Sequence, residues 1–137
     1  MPDRRGKCLC GAVRIAATET TNEVGACHCK MCRRWGGGPF MEIECGTGVS
    51  FEGEENVCVY DSSTWAERGF CKKCGTHLFY RFKKTGHHGV PVGLFDDDEN
   101  LVFAHQVFVD EKPSFYAFSN DTHDMTGPEL IARYQKS

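Results

Sequence analysis

Cysteine is the residue type that most constrains this chain, because nine cysteines occur in 137 residues and seven of them fall in three short motifs. The motifs are Cys8-Leu9-Cys10-Gly11, Cys27-His28-Cys29-Lys30-Met31-Cys32 and Cys71-Lys72-Lys73-Cys74-Gly75. The charged amino terminus is not followed by an apolar signal-peptide core, so we expect a reducing compartment, the cytoplasm, where disulfides do not persist. The clustered thiols are therefore expected to bind metal.

The first and third motifs each place two cysteines just before a glycine. Two sulfurs separated by a short turn can reach one ion, and the glycine allows the backbone to turn away from it. Each motif supplies two ligands, whereas a structural zinc site needs four. Pairing the two motifs predicts a closed structural zinc site formed by Cys8, Cys10, Cys71 and Cys74.

The middle motif offers three sulfurs, from Cys27, Cys29 and Cys32. Zinc bound by three protein ligands keeps a fourth position for water or substrate, which is typical of reactive sites. We therefore predict a second, more labile zinc site here. Other residues that could close it as a fourth ligand are Cys45, Cys58, His28 and His77. We expect His28 to point away from the sulfurs, because it alternates with two of them on an apparent strand.

The rest of the chain predicts a mainly β protein that forms one domain over residues 1–137. Short alternating apolar segments indicate strands near residues 13–15, 40–43, 49–51, 57–60, 77–82, 90–95, 101–103 and 106–109. A single short helix is predicted at the carboxyl end. Thr126 is its expected N-cap, Pro128 lies in its first turn, and Glu129 completes a capping box.

The charge of the chain argues against nucleic acid and membrane partners. The formal net charge is -3 and the pI is about 6.0, so no overall field attracts the protein to phosphates. We also find no apolar run of about 18 residues. Nucleic acid could still bind if basic side chains gathered on one face of the protein. The candidates for such a face are Lys30, Arg33, Arg34, Lys72 and Lys73.

The order of these motifs resembles the glutathione-dependent formaldehyde-activating enzyme family, which includes centromere protein V. The resemblance rests on Gly6-x-Cys8-x-Cys10-Gly11, Cys27-His28-Cys29-x-x-Cys32-Arg33, Trp35-Gly36-Gly37 and Arg68-Gly69-Phe70-Cys71-x-x-Cys74-Gly75-Thr76-x-Leu78. A weaker similarity covers His105 to Val109 with Lys112-Pro113. The resemblance implies a single zinc domain with a β-tent fold of antiparallel sheets. It also implies structural zinc at the four-cysteine group and active-site zinc at the three-cysteine group.

The activity that the resemblance implies joins glutathione and formaldehyde to S-(hydroxymethyl)glutathione, and the reverse direction makes it a carbon-sulfur lyase. Our hypothesis is that a substrate thiol takes the open zinc position, becomes a thiolate, and attacks the carbonyl carbon. Lys30, Arg33 and Arg34 lie beside the third ligand, and Arg33 and Arg34 are the predicted contacts for the carboxylates of glutathione. The alternative is that these charges form a solvated basic surface. The alternatives are a non-catalytic zinc module that binds a partner, a carrier of the adduct, and a redox sensor that releases zinc on oxidation.

Overall fold

The computed structural model describes residues 3–135, and the chain forms two compact units. Unit 1 comprises Met1–Asn22 and Glu42–Asn100, and unit 2 comprises Glu23–Met41 and Leu101–Ser137. Met1 and Pro2 at the amino terminus, and residues 136 and 137, lie outside the described residues. The expectation of one domain over residues 1–137 stays a prediction.

A small antiparallel sheet opens unit 1. Its strands are β1 (Arg4–Lys7), β2 (Arg14–Ala17) and β5 (Val49–Glu52), in the order β1-β2-β5. The turn between β1 and β2 contains the first cysteine motif. Val13 precedes β2 and is completely buried, which fixes this turn against the core of the unit.

A larger antiparallel sheet completes unit 1. Its strands occur in the order β4-β9-β8-β7-β6, and β4 belongs to the unit from Glu42 onward. The strand bounds are β4 (Phe40–Gly46), β6 (Val57–Tyr60), β7 (Ala66–Cys71), β8 (His77–Phe82) and β9 (His88–Pro91). All of the pairs are antiparallel. The third cysteine motif forms the turn between β7 and β8.

The core of unit 1 consists of apolar side chains from both sheets. The largest that are fully buried are Phe79, Ile43, Leu78, Val13 and Val90. The ring of Phe79 lies directly over Gly69 of β7, where a Cβ atom would come within 2.2 Å of it. Close packing at this point therefore requires glycine.

Unit 2 contains three strands and both α-helices of the described residues. The strands are β3 (Glu23–Cys27), β10 (Val102–Val107) and β11 (His123–Met125), and β10 pairs in parallel with both of the others. The helices are α1 (Lys30–Gly36) and α2 (Gly127–Gln135). In residues 3–135, no helix has the length and apolar composition needed to cross a bilayer.

The structure confirms the mainly β prediction and the carboxyl-terminal helix. The predicted strand over residues 77–82 matches β8, and the predicted capping box is present. The Glu129 N–H donates to Thr126 Oγ1 at 3.2 Å, and the Thr126 N–H donates to Glu129 Oε1 at 2.9 Å. The alternation of apolar residues predicted β8, and the capping box predicted α2, because both patterns lie within a few consecutive residues.

Three expectations need correction. The pairing is not antiparallel throughout, because β10 pairs in parallel with β3 and β11. The strands expected at residues 101–103 and 106–109 are one strand, β10, with an irregularity between Phe103 and His105. Helix α1 was missed because Cys32 is its one buried residue, so the sequence of the helix has no apolar periodicity.

Replacement of Gly69 by alanine tests the packing of unit 1. We expect Gly69→Ala to lower the free energy of unfolding by about 1–3 kcal/mol, because the added methyl group overlaps the buried Phe79 ring. The matched control is Gly93→Ala, which has no atom within 4 Å of the new methyl group. Urea denaturation measures both variants, and equal midpoints for the two would contradict the packing described here.

Candidate metal centres

Four cysteine sulfurs of unit 1 lie close together. The Sγ atoms of Cys8, Cys10, Cys71 and Cys74 all lie within 4.8 Å of one another. The separation between the sulfurs of Cys8 and Cys10 is 3.7 Å, and that between Cys10 and Cys71 is 3.8 Å. A tetrahedral ion with metal-sulfur bonds of about 2.3 Å holds its sulfurs about 3.8 Å apart. This four-cysteine group has the geometry of a closed tetrahedral site.

The two turns that supply these sulfurs are built alike. Gly11 and Gly75 have φ angles of 81° and 79°, and no atom crowds the Cβ position of either. Their N–H groups donate to the carbonyls of Cys8 and Cys71 at 3.1 and 2.7 Å. Each glycine is thus needed for its left-handed backbone, as the sequence predicted.

Thr76 connects the two turns. Its Oγ1 accepts the Leu9 N–H at 3.1 Å and lies 3.1 Å from the sulfur of Cys74. The hydroxyl and N–H of Thr76 lower the pKa of Cys74 to about 5. Burial opposes ionisation of Cys8, but the Val13 N–H at 3.3 Å and the neighbouring sulfur of Cys10 bring its pKa below the usual value.

The pKa of Cys10 moves in the opposite direction. The Ala12 N–H favours its thiolate, but desolvation and the three neighbouring sulfurs raise its pKa to about 11. Four thiolates therefore do not form together at neutral pH unless a cation offsets their mutual repulsion. The donor set and its electrostatics both fit a bound metal cation.

Three more sulfurs meet within unit 2. The Sγ atoms of Cys27, Cys29 and Cys32 lie within 4.8 Å of one another. Cys27 ends β3, and Cys29 is the N-cap of α1, where its sulfur accepts the Cys32 N–H at 3.3 Å. Residues three apart at the start of a helix share one face. The strand end and the first helical turn thus bring the three-cysteine group together.

The pKa of Cys27 reports on the closeness of these sulfurs. Hydrogen bonds with the thiols of Cys29 and Cys32 raise it most, and burial and the charges of those two residues raise it further. A cation bound among the sulfurs would reverse this effect, because it stabilises all three thiolates. This group also has the donor chemistry of a metal site.

Among residues 3–135, the group that includes Cys27 contains three potential ligands and not four. Cys45, Cys58 and His77 belong to neither cysteine group. The sulfur of Cys45 is buried and lies 3.5 Å from the Ile43 carbonyl.

His28 also lies outside the group, although not for the reason expected from strand alternation. Strand β3 ends at Cys27, and the imidazole of His28 is held by side chains of unit 2: Nδ1 is 2.8 Å from the Tyr116 hydroxyl, and Nε2 is 2.7 Å from Gln106 Oε1.

A hollow of about 230 Å³ lies along the helix that carries Cys32. Its lining residues are Lys30, Arg33, Arg34, Gly37, Gly38 and Phe115. Three of the six carry positive charge, so we call it the cationic hollow. It includes Arg33 and Arg34, the residues predicted to bind substrate carboxylates, and that role stays a prediction.

Sequence reasoning missed the aromatic side of this region. Phe115 is 80% exposed, although it lines the cationic hollow. Tyr116 packs against it with ring centroids 5.2 Å apart. Both residues follow Lys112-Pro113 in the sequence. Nothing in their spacing indicates that Phe115 lies near Arg33, or that Tyr116 contacts His28, more than 80 positions earlier in the chain.

Comparisons with known proteins agree on one family. The family model of the glutathione-dependent formaldehyde-activating enzyme matches residues 3–111. An uncharacterized lyase of Schizosaccharomyces pombe is 39% identical over 132 residues, which cover 96% of both chains. A Podospora anserina protein, provisionally named a glutathione-dependent formaldehyde-activating enzyme, is 33% identical over 84 residues, which are 57% of this chain and 39% of that protein.

A solved structure supports the fold. The crystal structure of a Rhodobacter sphaeroides protein aligns with a TM-score of 0.59 at 26% identity, and the alignment covers 67% of this chain and 87% of that one. The family match includes all seven clustered cysteines. This chain therefore belongs to the glutathione-dependent formaldehyde-activating enzyme family.

Proposed function

We propose that this protein is a zinc-dependent carbon-sulfur lyase that joins and separates a thiol, such as glutathione, and an aldehyde, such as formaldehyde. The observation that carries the proposal is the three-cysteine group, to which residues 3–135 contribute three sulfurs and no fourth ligand. Membership of the family and similarity to a protein named a lyase support an enzymatic role. A β-tent architecture and a cytoplasmic location are parts of the same proposal.

Zinc is the proposed metal at both cysteine groups. Sulfur-only tetrahedral sites favour soft or borderline ions, and a four-cysteine set is a common structural zinc site. In the proposal, the four-cysteine group holds the structural ion and stabilises unit 1. The three-cysteine group holds the second ion, whose fourth ligand comes from outside the chain.

The proposed reaction is the addition of a thiol to a carbonyl. Cys27, Cys29 and Cys32 would hold the zinc, which would supply a cation that stabilises the substrate as a thiolate at neutral pH. The thiol proton passes to solvent, a sulfur lone pair forms the S–C bond, and the carbonyl π electrons move to oxygen, which takes a proton. The lyase direction breaks the S–C bond and releases thiol and aldehyde.

The cationic hollow is the proposed recognition site for the rest of the thiol. Glutathione carries two carboxylates, which the guanidinium groups of Arg33 and Arg34 bind in pairs of hydrogen bonds. The Nε of Arg33 already donates to the His28 carbonyl at 2.9 Å, so the two terminal nitrogens of Arg33 are its contacts for substrate. Gly37 and Gly38 have no atom within 4 Å of a Cβ position, which leaves room at the backbone.

Metal analysis tests the structural half of the proposal. We expect two zinc ions per chain, one for each cysteine group, and we expect Cys71→Ser to unfold unit 1. The binding free energy of a structural zinc is roughly 10–16 kcal/mol, which is comparable with the stability of about 5–15 kcal/mol for a whole domain. The control is Cys58→Ser, which should keep both ions. A Cys71→Ser protein with unchanged thermal stability would contradict this role.

The catalytic half is tested by replacing a ligand of the second ion. We expect Cys29→Ala to stay folded, lose one of the two ions, and exchange formaldehyde with glutathione at the uncatalysed rate. Exchange spectroscopy with carbon-13 formaldehyde measures that rate, and Cys58→Ala is the matched control. If the unaltered protein also leaves the spontaneous rate unchanged, the catalytic half of the proposal is contradicted.

Charge recognition in the cationic hollow is tested with two thiols. We expect Arg34→Ala to raise the half-saturating glutathione concentration by about two- to fivefold, the effect of losing one partly exposed ion pair. Cysteamine, which has no carboxylate, should be unaffected. Lys73→Ala, in the exposed part of the third cysteine motif, is the control variant. An equal change for both thiols would argue against carboxylate binding by Arg34.

A further inference from the structure

His28 lies between two of the three sulfur ligands in sequence, and every polar group it has is engaged. The residue has no exposed surface. Its N–H donates to the Val107 carbonyl at 3.1 Å, and its carbonyl accepts from Arg33 Nε at 2.9 Å. The two ring nitrogens contact the Tyr116 hydroxyl and the Gln106 amide, as described above. Strand β10, helix α1 and the segment around Tyr116 therefore all fix this one residue.

The hydrogen bonds from the ring continue as a chain to the surface of unit 2. Gln106 Nε2 lies 2.9 Å from Thr122 Oγ1, and Thr122 Oγ1 lies 2.5 Å from a carboxylate oxygen of Asp124. A carboxylate only accepts, so the single hydroxyl hydrogen of Thr122 points to Asp124. Thr122 must then accept from the Gln106 NH₂ group.

This order also determines the direction of the link to His28. With its NH₂ group toward Thr122, Gln106 presents its carbonyl oxygen to His28, so Nε2 of the imidazole carries a hydrogen. The other ring nitrogen, Nδ1, is 2.8 Å from the Tyr116 hydroxyl. The chain thus runs in one direction from His28 Nε2 through Gln106 and Thr122 to Asp124, and Tyr116 holds the opposite edge of the ring.

Aromatic packing also holds the His28 imidazole in place, in addition to the hydrogen bonds at its two nitrogens. The Tyr116 ring stacks on the imidazole, with centroids 5.5 Å apart and an angle of 29°. The Lys112 ammonium lies 5.1 Å from the centre of the Tyr116 ring and bonds to the Tyr116 carbonyl. Reorientation of the imidazole would break contacts on both of its edges and on its face.

We propose that His28 is a positioning residue: the hydrogen-bonded chain from Tyr116 to Asp124 keeps its imidazole away from the metal and fixes the spacing of Cys27 and Cys29. This inference rests on the proposed metal site of the three-cysteine group. His28 is the histidine nearest to these sulfurs in sequence and could otherwise serve as a fourth ligand. Because both of its ring nitrogens contact other side chains, it leaves the fourth position to an external thiol. Groups that orient metal ligands in this way typically change metal affinity by about 10- to 100-fold when they are lost.

Thr122 is the link at which the chain can be broken with little risk to folding, because it is partly exposed. Thr122→Val keeps the shape and removes the hydroxyl, so the Gln106 amide loses the contact that orients it. We expect zinc affinity at the three-cysteine group to fall about tenfold or more. Thr122→Ser retains the hydroxyl and should stay within about twofold of the unaltered protein.

Competition with a chromogenic chelator measures zinc affinity, and the four-cysteine group in the same molecule is the internal control for folding. Unchanged affinity in Thr122→Val, with the four-cysteine ion retained, would overturn the proposal. Loss of catalysis by itself would not overturn the positioning role of His28, because the measurement of zinc affinity does not depend on turnover. A failed lyase assay and a failed positioning role are therefore separate results.

Nitrogen-15 NMR of the zinc-loaded, unaltered protein gives a second readout, because it tests the direction of the chain and whether either ring nitrogen binds the metal. The proposal requires the His28 signals of a ring with hydrogen on Nε2 and with neither nitrogen bound to metal. After cadmium-113 substitution, no coupling to His28 should appear. An Nε2 without hydrogen, or coupling of either nitrogen to cadmium, would overturn the proposal.

Discussion

Thiols held within 4.8 Å of one another do not all ionise unless a cation is among them, and seven of the nine cysteines in this chain are held in that way. The opposite pKa shifts of Cys10 and Cys74 show this conflict within one group. The four-cysteine group also joins turns that lie more than 60 residues apart in sequence. The order of strands in unit 1 therefore depends on a contact among sulfurs as well as on its apolar core.

In unit 2, one short helix carries most of the proposed chemistry. Helix α1 is seven residues long, contains Cys32, and is capped by Cys29. The same helix contributes Lys30, Arg33 and Arg34 to the cationic hollow. A ligand that bound the metal with its sulfur and the hollow with its carboxylates would therefore contact this helix at both of its ends, together with Phe115.

The sequence was most informative where function depends on residues close together in the chain. Cysteine spacing and the following glycines predicted which sulfurs group together, and the capping box predicted α2. Helix α1 was not predictable from apolar periodicity, because it buries Cys32 alone. The parallel partners of β10 were not predictable either, since pairing of distant strands depends on tertiary contacts. The partners of His28 are 78 and 88 residues away, and no local pattern marks Gln106 or Tyr116 as its neighbours.

X-ray absorption at the zinc edge counts the sulfur atoms around the metal and therefore shows whether one coordination position is left to an external thiol. One ion bound by four cysteines and one bound by three give an average of about three and a half sulfurs per zinc. We expect this average to rise to about four when glutathione is added and to fall back when glutathione is removed. An average that glutathione does not change, or a fourth ligand contributed by the protein at the three-cysteine ion, would contradict it.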